Sequence, residues 1–356
     1  MASLASKGWK KRLVTAISIV VLFGATVSLV IWTKKDSGQE VQEAVRVPSV
    51  IKSKSSSSYS AFEVSHIAGA IATKNKTLLA DITRSVQADF PDNTARLDAM
   101  LGSPDREIRE FAGVVLTTIG TDKAAELLIQ SIKKEFDPRV RANLIESLQR
   151  ITNSDAVPTL ARYALDMSDL ELHRACRNVL SSMTDPMTVS MLVAMLERES
   201  IDESLEPIAY AIAHMTCEGL IPSLVRGANS QDSRTATACI QGLGSIGSPE
   251  AFREILHLVA SHDAGKKGLV ARTVAVQTAA DRKNALFVKA CEEVLGFGRS
   301  IDVSRAALDI FVATPGHEAR DAIERRLKQS SEALIDYATK AMERHQRAWP
   351  TPDAAR

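Results

Sequence analysis

The chain has 356 residues, a formal net charge of +1 at pH 7, 45% hydrophobic residues and only 4% aromatic ones. A net charge so close to zero gives no overall positive field for nucleic acid, and we expect no nucleic-acid partner. Many of the apolar residues are Ala, Leu, Ile and Val, which favours helices packed through small side chains. The length allows one large domain or two ordinary ones.

The N-terminal sixty residues differ from the rest because they hold nine Lys or Arg residues and only three Asp or Glu residues. Within them, the run from Leu13 to Trp32 contains no charged residue. A helix of about 20 residues, at about 1.5 Å per residue, spans about 30 Å, the thickness of a bilayer core. We therefore expect a basic tail at 1–12, an uncleaved transmembrane anchor at 13–32 and a Ser-rich linker at 33–60. A cleaved signal peptide is the alternative, but the apolar run is longer than the usual apolar region of a signal peptide, and no small-x-small cleavage site follows it.

The orientation of this anchor rests on two opposing signals. Basic residues before the apolar run favour a cytoplasmic N-terminus, which places the body outside the cytoplasm of a bacterial inner membrane. The four cysteines show no CxxC motif and no disulfide framework, which instead favours a reducing compartment. We give the charge rule more weight, and a cytoplasmic body remains the alternative. The cysteines are Cys176, Cys217, Cys239 and Cys291.

An internal repeat begins near residue 103. The stretch 136–165, FDPRVRANLIESLQRITNSDAVPTLARYAL, repeats features of SPDREIREFAGVVLTTIGTDKAAELL thirty-two residues earlier. Equivalent apolar residues of successive repeats are 32 residues apart in the first repeats. In the later repeats, matching these residues gives a separation of 31. Equivalent positions of successive repeats form columns, and one column consists of Leu116, Leu148, Leu180, Ile212, Leu243 and Val274. A second column starts at Leu128 and ends at Leu286. A third column starts at Ile119 and is interrupted by the polar residue Gln277.

Each repeat predicts a helical hairpin. Asp137 is placed to cap a helix, and Pro138 suits its first position. Apolar residues then recur at spacings of four and three, which is typical of one buried helix face. A second cap column precedes the return helix. That column holds Thr121, Asn153, Asp185, Cys217 and Ser248. A unit of about 32 residues is too small to bury its own apolar face, so neighbouring units must stack.

The motifs Asp-Pro-x-Val-Arg, Leu-x-x-Ile and Asp-Ala-Val-Pro-x-Leu resemble the short HEAT-like repeat of phycobilisome lyases and many bacterial scaffolds. The resemblance covers about 103–290 and, more loosely, 299–345. It implies an all-α solenoid of hairpins with a period of about 31–32 residues. It also implies a ladder of ion pairs between neighbouring units. The ladder residues would be Asp105, Arg109, Asp137, Arg141 and Asp169.

The expected domain order follows from this pattern. N-terminal capping helices occupy 61–102 and the repeats 103–298. A looser repeat with a C-terminal capping helix occupies 299–347, and a tail completes the chain at 348–356.

Candidate chemical sites are few, and we expect that the protein is not an enzyme and binds no cofactor or metal. His317-Glu318 resembles the His-Glu pairs of HEAT-like deoxyhypusine hydroxylases, but it stands alone, and a metal needs three or four converging ligands. Cys176 and Cys239 fall in an apolar column and are expected in the core. Cys217 falls in the cap column, so it is the cysteine expected to be more exposed and the one to test for reactivity.

A basic stripe on the second helices is the candidate partner surface. The second helices of such solenoids usually line the partner-binding side, and an outward column there could receive an acidic peptide or helix. The alternative is an ordinary solvated face. The stripe comprises Gln130, Lys134, Arg162, Arg198, Arg226 and His257.

These features favour a membrane-tethered scaffold or adaptor that binds a protein partner along the solenoid. An enzyme subunit of the phycobilin lyase type is one alternative, and a structural or assembly component of the cell envelope is another.

Overall fold

The computed structural model describes residues 61–92, 94–198, 205–261, 265–296 and 300–350. The predicted anchor at 13–32, its basic tail and the Ser-rich linker lie outside the described residues. The chain divides at residue 55 into two units, and every described helix belongs to the second. The described residues are helices, turns and loops, with no strand among them. This confirms the all-α fold class.

Eighteen α-helices lie within the described residues. They are α1 (Ala61–Ala72), α2 (Lys76–Asp89), α3 (Ala95–Leu101), α4 (Arg106–Ile119), α5 (Asp122–Lys134), α6 (Pro138–Leu148), α7 (Val157–Leu165), α8 (Leu170–Ser182), α9 (Pro186–Arg198), α10 (Glu206–Ala213), α11 (Ile221–Ala228), α12 (Ser233–Ile246), α13 (Pro249–Ser261), α14 (Lys266–Arg282), α15 (Leu286–Leu295), α16 (Ile301–Ala313), α17 (His317–Gln329) and α18 (Glu332–Ala348). From α4 to α17 they form seven hairpins. We call α4, α6, α8, α10, α12, α14 and α16 the first-helix layer, and α5, α7, α9, α11, α13, α15 and α17 the second-helix layer.

The predicted caps start the helices. The Asp137 carboxylate accepts hydrogen bonds from the amides of Arg139 and Val140, at 2.9 and 3.5 Å. Thr121 caps the return helix α5 in the same way. The caps satisfy amide groups that have no partner inside the helix, which is why they fix where each helix begins.

The apolar columns form one continuous core. Leu116, Leu148, Leu180, Ile212 and Leu243 are all completely buried, as the repeat predicts.

The expected last step of the register is wrong, because Ala275 rather than Val274 is fully buried. Likewise Leu286 is 57% exposed, whereas Phe287 is buried and stacks on Phe252 with ring centroids 4.0 Å apart. The last step is therefore one residue longer than expected, as long as the first steps, and it buries a large aromatic ring in place of a smaller leucine.

The first helices of successive units pack directly on one another from α4 to α16, and α18 continues the series. Side-chain hydroxyls bridge this layer: Ser245 donates to the Ala213 carbonyl at 2.6 Å, and Thr117 donates to the Ser147 carbonyl at 2.8 Å. Glycine permits the closest approach, since a Cβ added at Gly242 would lie 2.7 Å from the Ile212 carbonyl oxygen.

Among the described residues, no single helix has both the length and the apolar composition to cross a bilayer. One pair, Glu206–Ala213 with Glu218–Ala228, meets these criteria jointly but is bent by 118° between its two parts.

The C-terminal helix α18 carries a buried imidazole. His345 is 2% exposed, and its Nε2 atom lies 3.2 Å from the Thr314 carbonyl oxygen. Burial lowers the pKa of His345 below its usual value, and nearby Arg320 acts in the same direction. The folded chain therefore favours the neutral ring.

We expect acid to destabilise this end of the stack. Above about pH 6.5, the usual histidine pKa, the ring is neutral in both folded and unfolded chains and contributes no pH dependence. Below that value the unfolded chain takes up the proton more readily, so stability falls, by at most about 1.4 kcal/mol per pH unit. Hydrogen exchange of the α18 amides at pH 7.5 and 5.5 measures this, and His345→Gln removes the titration. An equal acid effect in that variant would contradict the assignment.

Candidate partner-binding surfaces

The predicted ion-pair ladder exists in altered form. Arg141 pairs with Asp169, with Nη2 and Oδ2 2.8 Å apart, and with Glu171, with Nε and Oε2 3.2 Å apart. Arg109 instead pairs with Glu135, at 2.8 Å between Nε and Oε2. Arg109 therefore pairs with a carboxylate that is not among the expected ladder residues.

Asp105 and Asp137, the ladder aspartates on either side of Arg109 in the sequence, make other contacts. Asp137 is held by the amides it caps, and its other oxygen lies 3.7 Å from Arg106. Asp105 likewise caps its own helix by accepting from the Glu107 amide at 2.9 Å. The longer Glu135 side chain at the end of α5 is free to reach Arg109. Repeat position alone does not predict that Glu135 takes the place of a ladder aspartate.

The environment of each ladder carboxylate follows from this geometry. Burial on its own would raise the pKa of Glu135, but hydrogen bonds from Arg109 and the Asp137 amide bring it below its usual value. Burial would also raise the pKa of Asp169, but hydrogen bonds from the Leu172 amide and Arg141 bring it below its usual value. Both groups stay ionised at neutral pH, so these contacts act as structural staples between helices.

The stripe residues lie on the second-helix layer. The second helices α5, α7, α9, α11 and α13 each carry one or two of them. Five of them are exposed: Lys134, Arg162, Arg198, Arg226 and His257. Gln130 is half-buried and donates to the Tyr163 hydroxyl at 2.8 Å. Gln130 and Lys134 also line a cavity of about 360 Å³ that Arg109 and Glu135 share.

Part of the stripe's charge is neutralised. Arg162 pairs with Glu126, which also accepts a 3.0 Å hydrogen bond from the Tyr163 hydroxyl. Lys133 pairs with Asp166 at 2.9 Å and lies 4.5 Å from the centre of the Tyr163 ring. Glu126 was not predicted as part of this surface, although it stands four residues before Gln130 and so shares its helix face.

Three cationic groups of the stripe remain. Lys134, Arg198 and Arg226 form no ion pair with any other described residue. They lie on α5, α9 and α11, so the available positive charge is spread along the layer.

The cysteines and the His-Glu pair are not part of the ladder or the stripe. Burial raises the pKa of the Cys176, Cys239 and Cys291 thiols to about 12. Cys217 is half-buried at the turn between α10 and α11. His317 and Glu318 are exposed at the start of α17. Across the described ranges, no three His, Cys, Asp or Glu residues converge as metal ligands.

A trough on the first-helix layer was not predicted. Two cavities, of about 620 and about 560 Å³, cross α10, α12 and α14 and share Ala213, His214 and Gln241. On one wall the rings of Tyr210 and His214 stack with centroids 3.7 Å apart. The Arg177 guanidinium lies 3.9 Å from the centre of the Tyr210 ring. The spacing of Tyr210 and His214, four residues apart on one helix, was the available sequence signal.

Comparison with known proteins bears on the fold. Residues 126–213, from within α5 to the end of α10, match the family model described as HEAT repeats. No curated protein matches the chain in sequence.

Several solved structures are similar at low identity. Human deoxyhypusine hydroxylase in complex with glycerol is 12% identical with a TM-score of 0.29, covering 75% of this chain and 98% of that one. The complex of CpcE and CpcF of phycocyanin lyase from Nostoc sp. PCC7120 is 17% identical with a TM-score of 0.25, covering 70% and 94%. A designed armadillo repeat protein is 14% identical with a TM-score of 0.24, covering 71% and 100%. No function follows from similarities at this level.

The HEAT match and the stacked hairpins agree with each other. Residues 126–213 match the model of HEAT repeats, and the described residues form a stack of helical hairpins.

Proposed function

We propose that this protein is a membrane-tethered scaffold that holds an acidic protein segment against its second-helix layer. The observation that carries the proposal is the row of exposed cations Lys134, Arg198 and Arg226 on that layer. Positive groups spread over several units favour a partner with carboxylates spaced along its length.

A helix fits this spacing. Neighbouring packed helices lie about 8–10 Å apart, and two turns of an α-helix rise about 11 Å. A partner helix lying across the layer would therefore present one carboxylate per unit if acidic residues recur about every seven positions. Arg198 and Arg226, on neighbouring second helices, are the pair such a partner would engage first.

The test reverses those two charges. We expect Arg198→Glu combined with Arg226→Glu to weaken binding at least tenfold. The probe is a fluorescent helical peptide with Glu at every seventh position, measured by anisotropy against the full chain in nanodiscs. Binding to the unchanged protein should also weaken as salt rises, because the charges are exposed. Arg162 is a poor choice because reversing it would place two carboxylates side by side with Glu126.

The matched control reverses two exposed arginines of the first-helix layer, Arg139 and Arg174. The overall charge changes equally in both double variants. If the two lose affinity alike, the effect comes from net charge and the stripe is not the binding surface.

The tether is the apolar run at 13–32. In this proposal it is a single span of the inner membrane, with the N-terminus in the cytoplasm and the stack outside. Protease added to intact spheroplasts should then digest the stack. Survival until lysis would place the stack and its partner in the cytoplasm. Tethering by a short linker raises the effective concentration of a membrane partner to about the mM range.

A further inference from the structure

The trough on the first-helix layer lies on different helices from the stripe. Its two cavities share three lining residues, so they lie side by side across α10, α12 and α14. Ala209, Ala213 and Ala238 are among its lining residues. These small side chains leave depth between the helices.

One wall of the trough is built in advance of any ligand. His214 stacks on Tyr210, and its Nδ1 atom lies 2.8 Å from the Tyr210 carbonyl oxygen, which fixes the ring. Arg177 covers Tyr210 and adds a cation–π contact. A wall that is already ordered costs little conformational entropy on binding.

The middle of the trough is lined by neutral groups that can form hydrogen bonds. Gln241 is exposed at the point where the two cavities meet, and its side-chain amide can both donate and accept. Thr237 and Thr273 flank it along the lining of the two cavities, and each has a hydroxyl oxygen with acceptor capacity left.

Charged groups occupy the two ends and carry both signs. Glu206 and Lys266 line one end, and Asp281 and Arg282 line the other. Arg282 is engaged with the Ser245 carbonyl at 2.8 Å, and Asp281 accepts from Gln277 at 2.8 Å. Because each end holds one group of each sign, a strongly acidic or basic ligand gains no net electrostatic attraction at either end.

We propose that this trough binds an extended peptide segment that is uncharged at its centre. The backbone of an extended chain offers alternating N–H and C=O groups, which amide and hydroxyl side chains can pair with. A helical ligand has already used its backbone groups, so it gains nothing from such a lining. The small residues would accept aliphatic side chains that point inward.

The experiment selects ligands without assuming a natural partner. The probe is a library of random dodecapeptides, displayed on phage and panned against the full chain in nanodiscs. We expect enriched peptides to bind in solution and Gln241→Arg, which fills the trough at its exposed centre, to weaken them at least tenfold. N-methylation of the central peptide amides should weaken binding comparably, since it removes backbone donors.

The stripe variant provides the matched control. Arg198→Glu with Arg226→Glu should change affinity for these peptides less than twofold, because it lies on the other layer. Failure of the stripe proposal therefore leaves this result unaffected. Absence of any enriched peptide, or peptides insensitive to Gln241→Arg, would overturn the proposal. Peptides insensitive to N-methylation would overturn the extended-backbone mode of binding.

Discussion

Replacing Gly242 with alanine is expected to lower the free energy of unfolding by about 1–3 kcal/mol. The new Cβ would lie 2.7 Å from the Ile212 carbonyl oxygen and 3.2 Å from a methyl carbon of Leu224. The first contact is with backbone, which cannot rotate away, so α10 and α12 must move apart. Urea unfolding of the purified protein measures the change.

A second glycine gives the opposite expectation and serves as control. Gly69 is exposed in α1, and a Cβ added there meets nothing within 4 Å. Gly69→Ala should therefore stabilise the chain by about 0.5–1 kcal/mol, because alanine loses less backbone entropy in a helix. If both substitutions stabilise, the first helices are not as closely packed at Gly242 as the structure has them.

Part of the fold could be predicted from the sequence, and part depends on packing between units. The repeat period predicts hairpins, caps such as Asp137 and buried positions such as Leu148, because these depend on local spacing. The last step in the register was wrong because Val274 and Ala275 are both apolar. Only the neighbouring packing, with Phe287 stacked on Phe252, decides which one turns inward.

The candidate surfaces were less predictable for the same reason. A column of outward positions assigned the stripe residues to the second helices, and each of these residues falls within the bounds of a second helix. The pairing of Arg162 with Glu126 and of Arg109 with Glu135 depends on side-chain reach across helices, which repeat position does not encode. The trough needs three helices to come together, so no single repeat contains its signal.

Truncating Arg326 to alanine is expected to lower the free energy of unfolding by about 2–4 kcal/mol. This arginine is 4% exposed, and its Nη2 atom donates to the Leu295 and Gly296 carbonyls at 3.2 and 3.3 Å. Those carbonyls end α15 and belong to the set that no helix can satisfy internally. Burial lowers the pKa of Arg326, so the fold tolerates a costly buried charge in order to close that helix end.

The preceding residue supplies the matched control for this prediction. Arg325 pairs with Glu292 at 2.8 Å, but its side chain is 49% exposed. The same truncation there should cost at most about 1 kcal/mol, because solvent screens an exposed ion pair. Urea unfolding of both variants separates the cases, since the two residues share a helix and a charge and differ in burial. Equal losses would mean that the buried guanidinium contributes no more than a surface charge, and that the α15 carbonyls find other partners once it is removed.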